Sequence, residues 1–127
     1  MPERTVELDL VFRALSDGTR RQVVERLVAG SASTSELAKP FAMALPSFTQ
    51  HLDVLERAGL VTSTKRGRVR TYELVPVALG VADGWLAEQR RLWESRLDQL
   101  DDLLRTLATT PDPTNPDPTN PNQLEQP

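Results

Sequence analysis

Cysteine is missing from all 127 residues, and histidine occurs once, as His51. Without thiols the chain has no disulfides, thiolate metal sites or cysteine nucleophiles. One imidazole cannot furnish the nitrogen-rich ligand set that zinc prefers, so no metal and no cofactor are expected. Long apolar runs are also lacking, and nothing approaches the roughly 18 residues that a membrane span needs. The opening Met1-Pro2-Glu3-Arg4 has no apolar segment behind a basic cluster. A cytoplasmic protein without a secretory leader is therefore the expectation. There is no glycine-rich phosphate loop ahead of a helix. A hydrolytic triad would have to use Ser47, His51 and Asp53, but on a helix Asp53 lies about 160° around from His51 and cannot orient it. No enzyme is expected.

Acidic residues are missing from one stretch that matters. Between residues 57 and 72 there is no Asp or Glu, while Arg57, Lys65, Arg66, Arg68 and Arg70 fall within it. Residues 1–75 carry 11 Lys/Arg against 9 Asp/Glu and residues 76–127 carry 4 against 9, which accounts for the net −3. The acidity lies away from a local basic cluster that a phosphate backbone would feel. From Pro111 onward, the repeat Pro-Asp-Pro-Thr-Asn leaves only Leu124 to bury, so a disordered tail is expected at 111–127 behind one domain at 1–110.

The domain reads as mainly α, with five helices and one β-hairpin. A first helix over Val6–Leu15 places Leu8, Val11, Phe12 and Leu15 on one face. Asp17 is a suitable N-cap for a second helix that ends near Gly30. Ser33-Thr34-Ser35-Glu36 fits a capping box opening a third, which Pro40 keeps short. A fourth runs from Leu45 or Pro46 to Ala58 and stops at Gly59, with Leu45, Phe48, Leu52 and Leu55 on one arc and Pro46, Gln50, Asp53 and Arg57 on the other. Leu60–Thr64 and Val69–Val75 are rich in β-branched residues and bracket Lys65-Arg66-Gly67-Arg68 as a hairpin. A fifth helix from near Val77 to Thr109 spaces Trp93, Leu97, Leu100, Leu104 and Leu107 as in a coiled-coil seam that Leu86 extends backwards. That helix is about 45 Å long, more than one small domain needs, so the seam is expected to meet a second copy.

A short helix, a turn, a helix with polar first turns and a basic hairpin together make the order of a winged helix-turn-helix. A major groove admits one helix, whose first turns can present Ser47, Thr49 and Gln50 to base edges. The hairpin can bring Lys65, Arg66, Arg68 and Arg70 to phosphates or a minor groove. The expected function is sequence-specific binding of double-stranded DNA by a homodimer that represses transcription.

Four segments resemble the ArsR family of regulators: Ala14-Leu15-Ser16-Asp17-Gly18-Thr19-Arg20-Arg21, Ser35-Glu36-Leu37-Ala38, Gln50–Val61 and Gly67–Leu74. The resemblance covers about residues 6–108. It implies a winged-helix fold, dimerisation through the first and fifth helices (Leu8, Val11, Phe12, Leu86, Trp93, Leu97, Leu100, Leu104) and operator binding, with His51 at a position that often touches the DNA backbone. Arg90–Leu97 resembles a subgroup without known metal sites.

Ala44 and Leu45 replace the family's usual serine cap and polar residue. If Ser47-Phe48-Thr49-Gln50 instead formed a capping box, the helix would start later and Ser47 and Gln50 would serve backbone amides. A protein-interaction module without DNA binding is the alternative, on the strength of Leu45, Asp53 and the sequence pI near 5.2. A small-molecule effector near Trp85 and Trp93 is compatible with the regulator reading.

Overall fold

The computed structural model describes residues 2–109, with side-chain burial from residue 7 onward. In chain order the elements are α1 (Pro2–Leu15), α2 (Gly18–Val28), β1 (Ala32–Ser33), α3 (Thr34–Ala38), α4 (Leu45–Arg57), β2 (Val61–Arg66), β3 (Val69–Leu74) and α5 (Pro76–Thr109). The five helices and the hairpin follow the sequence pattern. The tail expected at 111–127 lies outside the described residues.

Local chemistry sets the helix ends. Asp17 Oδ2 accepts the Arg20 amide at 3.1 Å and opens α2. Ser33 Oγ accepts the Glu36 amide at 3.2 Å, and Glu36 Oε1 accepts the Ser33 amide at 3.3 Å, closing the capping box of α3. Caps of this kind are worth about 1 kcal/mol each. The last carbonyls of α1, orphaned by the end of their helix, are met from α2. Arg20 Nε donates to Ala14 O at 2.7 Å, Arg20 Nη2 to Arg13 O at 3.0 Å and Arg21 Nη1 to Leu15 O at 2.8 Å. Two cations at a helix C-terminus also oppose its dipole. The stretch Asp17–Arg21 thus secures both helices of one corner.

The sheet is antiparallel in the order β1-β3-β2. Two-residue β1 pairs Ala32 with Tyr72 and Ser33 with Thr71; the sequence reading had only the hairpin. The hairpin turns through Gly67 and Arg68, with φ of 61° at Gly67 and no positive φ at any described non-glycine residue. That combination is a type II′ turn, whose twist matches the strands on either side. At the hairpin's neck the Val75 amide donates to the Leu60 carbonyl at 2.8 Å, while the Leu60 amide donates back to Leu55 O at 3.1 Å.

The chain divides into two compact units, Met1–Ala87 and Glu88–Pro127. The core lies in the first, built on Phe48, Leu52, Leu55, Leu60, Val61 and Tyr72 with Val23, Leu27 and Leu37. Val11 belongs to that core at 1% exposure. Its assignment to a dimer interface is corrected: a side chain already enclosed by its own protomer has no area left for a partner. Leu8 is half-buried, and Phe12 packs partly buried against the core, edge-on to Trp85 at 5.7 Å between ring centroids. Leu86 is exposed.

In the described part of the second unit, Trp93, Leu97, Leu100, Leu104 and Leu107 are all exposed. Glu88–Arg91 and Asp101–Arg105 ion pairs at 2.7 and 2.8 Å support the helix surface there.

Candidate nucleic-acid interface

The turn between α3 and α4 is pinned from below. The Phe41 amide donates to Ala38 O at 3.0 Å, and the Phe41 ring lies on that of Phe48 at 5.4 Å. Because Phe48, Leu52 and Leu55 are fully buried, α4 is rolled so that Pro46, Ser47, Gln50 and Asp53 face outward.

Helix α4 begins at Leu45, with Ala44 as N-cap and the Phe48 amide bonded to Ala44 O at 3.1 Å. The later start with Ser47 as cap is therefore not what forms. Ser47 and Gln50 are exposed and their side chains make no hydrogen bond among the described residues. No side chain caps this N-terminus and no acid occupies its first turn, so its positive dipole end faces outward uncompensated.

Thr49 and His51 are placed less simply. Thr49 is half-buried and its Oγ1 donates to Pro46 O at 2.9 Å, which leaves the hydroxyl only as an acceptor. His51 Nδ1 lies 3.1 Å from Arg20 Nη1 and 3.7 Å from Asp17 Oδ2. A guanidinium can only donate, so Nδ1 is the acceptor and the ring proton sits on Nε2. His51 is thus tied to the α1–α2 corner on one side, with Nε2–H as its remaining donor.

Arg57 lies apart from the first turns of α4. It is exposed in the last turn, about 15 Å along the helix from Ser47, and lines a groove with Leu10 of α1 and Val77 and Val81 of α5. The helical wheel gave the right angle but not which elements flank that end.

The wing's basic residues divide by strand alternation. Lys65 pairs across with Arg70, and Ser63 with Tyr72, so these four share the face that carries the buried Tyr72. Arg66, paired with Val69, points from the other face with Thr64 and Thr71. Arg68 stands at the turn. Arg70 is drawn back to the stem, where its Nη1 donates to Ser63 Oγ at 2.8 Å. Ser63 in turn gives its hydroxyl and its amide to Glu56 Oε2, at 2.8 and 3.1 Å. Sequence reasoning missed Glu56 and Ser63, which join the last turns of α4 to the wing. Nothing in the local pattern marks a bond across seven residues.

Among the described residues, no group of three or more His, Cys, Asp or Glu is arranged to hold a metal ion, and no helix is long and apolar enough to cross a membrane.

Comparison with known proteins agrees with this arrangement. A helix-turn-helix domain family matches residues 15–64, from the end of α1 into β2. The HTH-type transcriptional regulator Rv2034 of Mycobacterium tuberculosis is 44% identical over 71 residues, 56% of this chain and 66% of that protein. The match thus spans just under two thirds of that relative's length. The transcriptional repressor SdpR of Bacillus subtilis is 30% identical over 76 residues, 60% of this chain and 84% of that protein. The crystal structure of an ArsR family transcriptional regulator shares 49% identity, covers 75% of this chain and 95% of its own, and superposes with a TM-score of 0.70. With a short helix, turn, outward-facing helix and basic wing in that order, and relatives similar over this length, the chain belongs to the ArsR family of winged helix-turn-helix transcriptional regulators.

Proposed function

We propose that this protein is a cytoplasmic repressor that binds double-stranded DNA as a homodimer on an inverted repeat, with half-sites about one helical turn, or 34 Å, apart. The observation that carries the reading is the unoccupied polar face at the start of α4, where Ser47 and Gln50 are exposed without protein partners. Gln50 can pair with adenine through both groups of its amide. Ser47 and the uncapped amides of the first turn suit phosphate or base edges. Arg66 and Arg68 supply charge from the wing, and His51 can donate from Nε2. Dimerisation is assigned to Leu86, Trp93, Leu97, Leu100 and Leu104 of α5 and to Leu8 and Phe12 of α1. Regulation is independent of metal, no catalysis is involved, and any effector is a small molecule of unassigned class.

In-vitro selection from a random DNA pool tests this directly and should enrich one two-fold motif. A gel shift of the enriched DNA at two salt concentrations should show binding weakening steeply with salt. The exposure of Leu45 and Met43 beside the start of α4 favours a second reading, a module that docks on protein instead. Failure to enrich any motif would select it.

A further inference from the structure

From Pro40 to Leu52 the chain has no Lys, Arg, Asp or Glu. This stretch holds the turn before α4 and the helix's outward-facing first turns. Whatever those turns read in a duplex is therefore read without a charged Lys, Arg, Asp or Glu side chain. Within the stretch, Ala42, Met43, Ala44, Leu45, Pro46 and Ser47 are all exposed, and all but Ser47 are apolar.

Leu45 departs from its own helical arc. By spacing it belongs with Phe48, Leu52 and Leu55, which are 0% exposed, yet Leu45 itself is 55% exposed. The core closes at Phe48, against whose ring Phe41 lies at 5.4 Å, and Leu45 projects beyond it. Met43, 36% exposed, lies just before it in the chain. A leucine left in solvent on a DNA-facing surface needs an apolar counterpart. The major-groove edge supplies one, the C5 methyl of thymine, which marks A·T pairs and their orientation.

We propose that Leu45 packs against a thymine methyl in each half-site and so specifies one base pair by apolar burial instead of by a hydrogen bond. Gln50 lies about 7.5 Å along the helix and about 140° around it from Leu45, so the two side chains address different base pairs. One reads through an amide, the other through a methyl contact. The inference rests on the DNA-binding reading of α4 and deepens it, by giving a base preference to a side chain with no polar group.

Deoxyuridine provides the test, because it lacks only that methyl and keeps thymine's pairing and its O4 acceptor. In the motif enriched from the random pool, each thymine is replaced in turn by deoxyuridine, in both half-sites together. The full chain is then titrated with each duplex by fluorescence anisotropy. At one position the wild type should lose affinity by about fourfold per half-site, or about fifteenfold for the two, as burial of one methyl-sized group predicts. Leu45→Ala, at a site that contributes little to the core, should bind the thymine duplex more weakly by a similar factor. It should also be indifferent to deoxyuridine at that position, with circular dichroism confirming native helix. Leu45→Met should keep most of the sensitivity, and Gln50→Ala all of it. A motif with no fixed thymine, or one in which no thymine responds, would overturn the inference. So would a response that persists in Leu45→Ala, since the methyl would then act through duplex shape or another residue; loss of the response in Met43→Ala would name that residue. Failure to enrich any motif would instead remove the DNA-binding reading, and the inference with it, in favour of docking on protein.

Discussion

Glu56 Oε2 accepts both the hydroxyl and the amide of Ser63, which fixes the first half of β2 to the last turns of α4. The wing and α4 are therefore connected by a carboxylate as well as by the chain. Glu56→Ala should cost about 1–3 kcal/mol, since it leaves the amide and hydroxyl donors of Ser63 without their shared acceptor. Thermal unfolding measures that loss. DNA affinity should fall by a similar factor on every sequence, and an unchanged affinity would show that the wing does not contribute.

Sequence preference and overall grip should separate by position. Gln50→Ala should lower affinity for the selected motif by about 1–3 kcal/mol and little elsewhere. Arg68→Ala should weaken all sequences and flatten the salt slope by about 1. Arg57→Ala, at the far end of α4, should leave both DNA readouts close to wild type when dimer concentration is matched.

Gly67 occupies the turn position that requires φ near +60°. Gly67→Ala should cost about 1–2 kcal/mol in strain, displacing Arg68 while the core around Phe48 stays intact. A lowered melting temperature with unchanged helical circular dichroism would bear this out. Loss of helix would show that the hairpin is needed for the core to form.

Asp17 gives the acid limb of stability. Its carboxyl is held below the usual aspartate range, first by the Arg20 amide and then by the charge of the Arg20 guanidinium. A depressed folded value means that the contribution is present at neutral pH and is lost as pH falls through that value. Asn at this position keeps a cap acceptor without the charge. The melting temperature of wild type should therefore exceed that of Asp17→Asn at pH 7, and the gap should close below about pH 4. A gap independent of pH would contradict the assignment.

As the single histidine, His51 gives one set of ring nitrogen resonances. At neutral pH they should report an unprotonated Nδ1 and a protonated Nε2, because the Arg20 guanidinium donates at 3.1 Å. Arg20→Ala should admit the other tautomer. A ring protonated at Nδ1 in the wild type would mean that Asp17 holds it instead.

Much of this architecture was legible in the sequence because its boundaries are chemical. Asp17, the Ser33–Glu36 box, Pro40, Pro46 and Gly59 each act within one helical turn, and the spacing of Phe48, Leu52 and Leu55 oriented α4 correctly. The division of the basic wing was also implicit in strand alternation, although a count of charges concealed it. What could not be read depends on distant partners. Strand β1 exists only because β3 lies alongside, Arg20 and Arg21 reach carbonyls across a corner, and Val11 is enclosed by elements far along the chain.

The bond between Leu60 and Val75 closes the neck of the wing just where α4 has ended and α5 begins at Pro76. A stem stitched there behaves as a lever: its six-residue strands carry the arginine tip about 20 Å from the pivot. A small rotation of the first turn of α5 would thus be magnified at Arg68.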